Sequence, residues 1–466
     1  MKITFYGASQ TVTGSKHLIE LNNGKKILLD CGMFQGMGKQ TSLLNGDFGF
    51  NPQEVSCVIL SHAHIDHSGL LPKLVKEGFE GEIYATLATI DIARILLKDS
   101  AFIQKQDIAF LNKKRKEQGR ELLEPLYTEE DVEKTLELFV SVGYRKPFVR
   151  DESISFQFFD VGHILGSITS YLSLKEDGKT TTLVYSGDVG RYGDPILHSP
   201  EVFPQADYII IESTYGDKVH SSMDSYAEEL YENIIETCIN KKGKLIIPAF
   251  SVGRTQEILY GLNDLEIEGR LPNIKYYLDS PMSTQVTQVI KRHSELFNRS
   301  TQKLMKIDKD PFDFKGLTLI SDKRESQALN SDHSPMVIIS ASGMAEAGRV
   351  KHHIANGIEN WRNTILLMGY CEPNSLGGRL KKHPETVTIF GKPFIVKAGI
   401  KAINSMSAHA DYNDLSQYLA CQTPEEVKRV FIVHGEQEVQ TEFKRRLMKK
   451  GFKDVEIPKQ NQTFGL

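Results

Sequence analysis

The sequence predicts an α/β protein in which a parallel α/β segment interrupts a more β-rich part of the chain. Short β-rich runs separated by glycine or asparagine turns begin the 466-residue sequence. From residue 222 to residue 368, helical and strand patterns alternate, which is typical of a parallel sheet covered by helices. From about residue 393 the earlier pattern returns.

Composition excludes several classes of protein. Hydrophobic residues make up 40% and charged residues 25% of the chain, which excludes a disordered or a collagen-like protein. The formal net charge of −4 argues against a broadly basic nucleic-acid coat, but it allows a local phosphate-binding cleft. The five cysteines form no CxxC pair, and neither a signal peptide nor an 18-residue apolar run is present. We therefore expect a cytoplasmic protein without a membrane segment.

The elements of the first part are mostly strands. Strands are predicted at Ile3–Tyr6, His17–Leu21, Lys26–Asp30, Cys57–Ser61, Ser153–Phe159, Ser170–Leu174, Thr181–Ser186 and Asp207–Ile211. A helix is predicted at Ser68–Glu77, and residues 86–140 are mostly helical in pattern. The basic run Lys113–Lys116 is interpreted as a solvated helix face rather than as a phosphate contact.

Helices and strands alternate in the second part. Helices are predicted at Ser222–Lys241, Gly253–Asn263, Ser283–His293 and Ala347–Ile358, with strands at Leu245–Ile247, Ile274–Leu278, Met336–Ser340 and Thr364–Met368. Residues 315–330 are less regular. The last part is predicted to contain the strands Phe394–Lys397 and Arg429–Val433 and the helices Asp411–Ala420 and Glu436–Lys450.

The strongest motif follows a predicted buried strand. Three histidines and an aspartate fall within six residues: His62, His64, Asp66 and His67. Because alternate residues of an extended chain point to the same side, His62 and His64 share one direction. The turn into the next helix can move Asp66 and His67 towards a second position. Imidazole nitrogens and carboxylate oxygens suit zinc and related metals, so the sequence predicts a metal centre here.

Four side chains cannot complete two metal sites, and the further candidates stand near the ends of strands. His163 and Asp188 each follow a strand and a glycine, which lets the backbone approach a crowded centre. His434 directly follows the strand Arg429–Val433, and His409 precedes a helix. These residues are the candidates for the missing ligands.

This order of motifs resembles the metallo-β-lactamase superfamily and, within it, the β-CASP group of nucleases, which includes mRNA 3′-end-processing endonucleases. The motifs of the superfamily fall on Asp30, His62, His64, Asp66, His67, His163 and Asp188, and those of the group on Glu212, His409 and His434. The resemblance implies an αββα sandwich with an inserted parallel α/β cap domain. Residues 1–212 and 393–466 would form the metallo-β-lactamase domain, and residues 213–392 the β-CASP cap.

The resemblance also implies two zinc ions per chain, with Mn²⁺ or another divalent metal as an alternative. One ion would be held by His62, His64 and His163, and the other by Asp66, His67 and His434. Asp188 would bridge the two ions, and Asp30 would orient a ligand.

Two metals about 3.5–4 Å apart can share a hydroxide and clamp a phosphate oxygen. In-line attack would then expel a ribose 3′-oxygen and leave a 5′-phosphate on the other product. His409 is the candidate general acid, and Glu212 would orient it. Together with Asp66, they form the expected catalytic set.

Substrate contacts are expected from the second part of the chain. Ser342 and Gly343 lie in a turn between a strand and a helix, where backbone N–H groups could cradle a phosphate. Arg379 could add a bidentate cation. In this family the last motif is a histidine in RNA-cleaving members and usually an apolar residue in the DNA-repair branch. His434 therefore favours RNA, and a single strand is favoured because the scissile phosphate must enter a narrow cleft.

The sequence thus predicts a zinc-dependent, endonucleolytic ribonuclease. A DNA nuclease of the same group, a 5′-exoribonuclease of the ribonuclease J type and a non-catalytic subunit of an RNA-processing complex are the alternatives. The ribonuclease J type carries a C-terminal domain, which we do not expect after Leu466. A small-ester hydrolase is disfavoured because it would lack Glu212, His409 and the inserted domain. The oligomeric state stays open, with a homodimer as one arrangement.

Overall fold

The computed structural model describes residues 1–220, 225–369, 371–403 and 405–466. These residues form two compact units. The first unit consists of Met1–Tyr192, His198–Val219 and His409–Leu466, and the second consists of Gly193–Leu197 and His220–Ala408.

Two seven-stranded sheets form the centre of the first unit. In the order of the sheet, the first consists of Gln462–Gly465, Lys2–Phe5, His17–Glu20, Lys26–Leu29, Cys57–Ile59, Glu82–Ala85 and Phe139–Ser141. The second consists of Val455–Glu456, Arg429–Val433, Tyr208–Glu212, Lys179–Tyr185, Ile168–Glu176, Ile154–Asp160 and Phe148–Val149. Each sheet is antiparallel on one side and parallel on the other.

The sheets pack face to face, and helices cover their outer faces. One buried cluster joins Ile27 and Ile59 of the first sheet to Phe158 and Leu183 of the second. The helices of this unit are Thr41–Gly46, Ile65–Ser68, Leu71–Lys76, Leu87–Glu117, Glu129–Glu137, Tyr412–Tyr418 and Gln437–Lys449. Apolar side chains of Leu71–Lys76 pack on the outer face of the first sheet, and those of Gln437–Lys449 pack on the second. The predicted αββα sandwich is therefore confirmed.

The second unit contains a six-stranded parallel sheet. In sheet order its strands are Leu317–Leu319, Lys275–Leu278, Met336–Ser340, Lys244–Pro248, Thr364–Met368 and Gly399–Ile403. An antiparallel hairpin joins Thr386–Ile389 to Lys392–Ile395. The helices are Tyr226–Ile234, a π-helical turn Ile235–Asn240, Arg254–Ile267, Pro281–Arg292, Arg299–Leu304, Lys323–Ser331, Gly348–Gly357 and Leu376–Leu380. The predicted parallel α/β cap is therefore confirmed.

Several predicted elements differ in their bounds. The helix predicted at Ser68–Glu77 is two short helices, Ile65–Ser68 and Leu71–Lys76, and Pro72 lies at the start of the second, where its missing N–H costs nothing. The helix predicted from Ser222 begins at Tyr226, and Ser222 lies outside the described residues.

The end of the second unit also differs from the predicted pattern. Its sheet includes the strand Gly399–Ile403, and the first unit resumes at His409. The three predicted domain ranges, 1–212, 213–392 and 393–466, stay a prediction.

No helix within the four described ranges combines the length and the hydropathy that crossing a membrane requires.

Candidate metal centre

The histidine-rich segment lies in the turn that leaves the first sheet. The strand Cys57–Ile59 precedes it, and the short helix Ile65–Ser68 begins directly after His64. The amides of His67 and Ser68 donate to the carbonyl of His64. This turn separates the side chains of the motif into the two predicted groups.

The first group contains His62, His64, His163 and Asp188, whose ligating atoms lie within 4.8 Å of one another. His64 Nδ1 is 3.1 Å from His62 Nε2 and 3.2 Å from His163 Nε2. His163 reaches this position through Gly162, which has a φ of +66°. A Cβ atom at Gly162 would lie 2.2 Å from the carbonyl oxygen of His198, so only glycine fits.

The second group contains Asp66, His67 and His434, again with ligating atoms within 4.8 Å of one another. His67 Nε2 is 3.3 Å from His434 Nε2, and His434 Nε2 is 3.6 Å from Asp66 Oδ2. His434 follows the strand Arg429–Val433 in a left-handed conformation, with a φ of +52°. Its amide donates to the Ala8 carbonyl, which holds this turn in place.

Asp188 lies between the two groups. Its Oδ2 atom is 3.4 Å from His62 Nε2 and 3.6 Å from His163 Nε2 on one side, and 3.3 Å from His67 Nε2 on the other. Its buried Oδ1 atom is 3.5 Å from His434 Nδ1 but accepts no hydrogen bond from any residue that the structure describes. A buried carboxylate oxygen without a donor is costly unless a cation compensates it. The position and this oxygen both fit a carboxylate shared between metal ions.

The donor set fits zinc. Burial lowers the pKa of His64 to about 4 and holds the pKa of His62 well below its usual value. These imidazoles are therefore neutral at pH 7, which is the state that binds a metal. His62 Nε2 and His64 Nδ1 converge on one another and on His163 Nε2, with Asp188 Oδ2 beside them, as expected for side chains arranged around an ion.

Hydrogen bonds on the outer ring nitrogens orient three of the imidazoles. Asp30 accepts from His67 Nδ1 at 2.6 Å and from the Tyr185 hydroxyl at 2.5 Å. The Ser61 hydroxyl is 3.0 Å from His62 Nδ1, and the Thr214 hydroxyl is 3.0 Å from His434 Nδ1. In each case Nε2 is left for the centre. The sequence predicted Asp30 but not Ser61, Tyr185 or Thr214.

Glu212 and His409 form a pair beside the centre. His409 Nδ1 is 3.1 Å from Glu212 Oε1, and the fully buried Glu212 also accepts from the amides of Val189 and Thr214. Burial lowers the pKa of His409, but the Glu212 carboxylate outweighs it and raises the pKa to about 9. The rings of His409 and His163 have centroids 4.6 Å apart. Glu212 thus keeps His409 protonated at neutral pH, and the His409 ring packs beside His163 of the first group.

The predicted substrate contacts lie in the second unit. Ser342 and Gly343 follow the strand Met336–Ser340, and the amide of Ser342 donates within the turn to the Ala347 carbonyl at 3.4 Å. The Arg379 guanidinium is 3.6 Å from the carboxylate of Glu346, in the same turn. The structure therefore brings Arg379 close to the turn that contains Ser342 and Gly343. There the Arg379 guanidinium forms an ion pair with Glu346. Their contact with substrate stays a prediction.

Three family models match the chain. The metallo-β-lactamase superfamily matches residues 14–249, the β-CASP domain matches residues 255–380, and the Zn-dependent metallo-hydrolase RNA specificity domain matches residues 395–458.

Curated relatives match over nearly the whole chain. Ribonuclease TTHA0252 of Thermus thermophilus is 36% identical over 94% of this chain and 94% of its own length. Transcription termination factor FttA of Methanosarcina mazei is 28% identical over 97% of this chain and 69% of its own. Cleavage and polyadenylation specificity factor 73 of Drosophila melanogaster is 28% identical over 96% of this chain and 62% of its own. With the sandwich fold and the histidine–aspartate centre, these matches show that the chain belongs to the β-CASP group of the metallo-β-lactamase superfamily and is a metallo-hydrolase.

Proposed function

We propose that the chain is a zinc-dependent ribonuclease that cleaves within single-stranded RNA. The observation that carries the proposal is the pair of ligand groups joined by Asp188, with the Glu212–His409 pair directly beside them. Such a centre suits phosphodiester hydrolysis, because one part can activate water and another can protonate the leaving oxygen. The names of the relatives, which include a ribonuclease, support RNA as the substrate.

Two zinc ions, or Mn²⁺ or another divalent metal in their place, would be held by the two ligand groups. The first would bind His62, His64 and His163, the second would bind Asp66, His67 and His434, and Asp188 would contact both. When bound, such ions polarise a phosphate and supply a nucleophilic water at neutral pH.

The chain's own residues handle the protons. Glu212 holds the Nδ1 proton of His409, so His409 Nε2 is the atom that donates a proton to the leaving ribose 3′-oxygen. We also place Asp66 in the catalytic set, because its side chain is 21% exposed whereas that of Asp188 is 2% exposed. Asp66 is thus the carboxylate of the centre that a substrate can approach.

Less direct observations support the remaining parts of the proposal. The histidine at position 434 favours RNA over DNA, and we propose Ser342, Gly343 and Arg379 as substrate contacts. The five cysteines are unpaired, which supports the cytoplasm as the compartment. A DNA nuclease, a 5′-exoribonuclease and a non-catalytic subunit are the alternatives that the experiments must exclude.

Metal analysis combined with nuclease assays tests the proposal. The purified full chain is expected to contain about two zinc ions and to cleave end-labelled single-stranded RNA, with activity lost on chelation and recovered with Zn²⁺ or Mn²⁺. An RNA blocked at its 5′ end separates internal cleavage from 5′-exonuclease action, since only the former survives the block. The proposal is wrong if the purified chain contains no metal or if it cleaves DNA but not RNA.

Thr214→Val is expected to weaken the binding of the second metal ion without abolishing it. The substitution keeps the shape but removes the hydroxyl that fixes His434 Nδ1, so zinc affinity should fall about 10–100-fold. Zinc titration followed by a chelating dye measures the effect. Thr13→Val is the matched control, because among the described residues the partly exposed Thr13 hydroxyl bonds only to the backbone of Gln35. It should leave zinc affinity unchanged. Equal affinity in both variants would show that the bond to His434 is not needed.

A further inference from the structure

An apolar surface on the long helix Leu87–Glu117 has no partner in the described part of the chain. The second half of this helix and the returning segment form an arm, residues 102–126. Phe102 is 60% exposed, Phe110 is 75% exposed, and Ile103 and Leu111 are 47% exposed. Four large apolar side chains in water on one short stretch of helix indicate an interaction surface.

The returning segment covers only the other side of this helix. Asn112 exchanges two hydrogen bonds of 2.9 Å with the backbone of Leu123, and Arg115 donates to the Glu121 carbonyl. The amide of Leu126 donates to Gln104 at 3.2 Å. These contacts fix the arm, and they leave the face with the phenylalanines open.

The exposed residues are arranged symmetrically along the helix. Phe102 and Leu111 are equally far from the midpoint between Gln106 and Asp107, and so are Ile103 and Phe110. At about 100° per residue, Ile103 and Phe110 lie close to the same line on the helix surface. Two copies of this helix packed antiparallel about a two-fold axis would place Ile103 against the partner subunit's Phe110. Phe102 and Leu111, about 180° apart around the helix, would lie on opposite flanks of that contact.

Charge follows the same symmetry. Asp99 and Lys114 are also equally far from that midpoint, and both lie within about 60° of Ile103 and Phe110 around the helix. Neither forms an ion pair with a described residue of its own chain. Burial raises the pKa of Asp99, and no nearby cation lowers it again. In the antiparallel arrangement each Asp99 would face the partner subunit's Lys114.

We propose that the chain forms a two-fold dimer through antiparallel packing of the helix face that carries Ile103, Phe110, Asp99 and Lys114. The inference is independent of the proposed ribonuclease activity. Phe102, Phe110 and Lys114 could also contact RNA, but Asp99, Asp107 and Glu117 on the same helix repel phosphates, so a second copy with complementary charges fits this face better than an RNA strand. One helix pair gives a small interface, so the dissociation constant is expected to be roughly micromolar.

Sedimentation velocity of the full chain from roughly 1 to 100 μM tests the dimer. The wild type is expected to shift from the 52.5-kDa chain towards twice that mass, whereas Phe110→Glu should stay monomeric at every concentration. Leu43→Glu is the matched control, because Leu43 is also 75% exposed but lies in the separate helix Thr41–Gly46, and it should still dimerise. A wild type that stays monomeric, or a Phe110→Glu variant that dimerises, overturns the proposal.

Charge exchange identifies the partner as a second copy in this register. Asp99→Lys and Lys114→Asp each place like charges opposite one another, so each variant alone should dimerise at least tenfold more weakly. A mixture of the two variants should form a heterodimer, because each Lys then faces an Asp, and the double variant should dimerise again. Failure of both rescues overturns the register. Loss of RNA binding in Phe110→Glu without a change in mass also overturns the proposal and assigns the face to RNA.

Discussion

The His409→Ala variant is expected to keep its metal and to lose about 10²–10⁴-fold in kcat on RNA. Ligating atoms of His409, Glu212, Asp188 and His434 also lie within 4.8 Å of one another, but neither of the two proposed ligand groups includes His409. Its Nδ1 atom contacts Glu212, so its removal leaves both proposed groups complete. The lost contribution is the proton given to the ribose 3′-oxygen, a poor leaving group. Zinc analysis beside single-turnover kinetics measures both quantities.

A substrate with a good leaving group separates proton donation from a structural effect. Bis(p-nitrophenyl) phosphate releases an anion that needs no proton, so His409→Ala and the wild type should hydrolyse it at similar rates. His333→Ala, at an exposed histidine of the second unit, is the control and should behave as the wild type on both substrates. If His409→Ala loses as much zinc as His64→Ala, or loses both activities equally, His409 is not the general acid.

The candidate centre could be predicted because its residues stand where strands end. His163, Asp188, Glu212 and His434 follow four strands of the second sheet or end one of them. Buried β-rich runs are visible in a sequence, so the residues that end them can be placed on a common sheet edge. The spacing of His62 to His67 then indicates the chemistry that this edge supports.

The hydrogen bonds that orient these residues could not be predicted in the same way. Tyr185 closes a buried strand, and a tyrosine there is typical of the core, so nothing in the sequence indicates that its hydroxyl meets Asp30. That contact depends on how the two sheets pack, which is set by the whole core. Thr214 is similar, because its bond to His434 joins residues 220 positions apart.

The missed strand Gly399–Ile403 has a different cause. It lies at the edge of the parallel sheet and is only partly buried, with Lys401 in its middle. The continuous apolar run that marks an interior strand such as Met336–Ser340 is therefore absent. A strand at the edge is fixed by pairing with Thr364–Met368, a long-range contact that local pattern does not contain.

Asp188→Asn is expected to have the largest effect on the metal. The change keeps the size of the side chain but removes the charge that both ligand groups share, so zinc content should fall from about two to below one ion per chain. Cleavage of RNA should become undetectable, because neither the water nor the phosphate is then activated. Elemental analysis after gel filtration, together with the nuclease assay, measures these losses.

Thermal unfolding shows whether Asp188→Asn loses activity because it no longer binds metal or because its fold is destabilised. A bound ion stabilises the folded state in proportion to RT ln(1 + [L]/Kd), so chelation should lower the Tm of the wild type and leave the Tm of Asp188→Asn nearly unchanged. Asp279→Asn is the matched control, since Asp279 is also fully buried but pairs with Arg349 and His353 in the second unit. Its Tm should fall while its zinc content stays at the wild-type level, because a broken ion pair costs stability without touching the donor set. If Asp188→Asn retained two zinc ions, Asp188 could not be the shared ligand, and the two groups would each have to bind their ion independently.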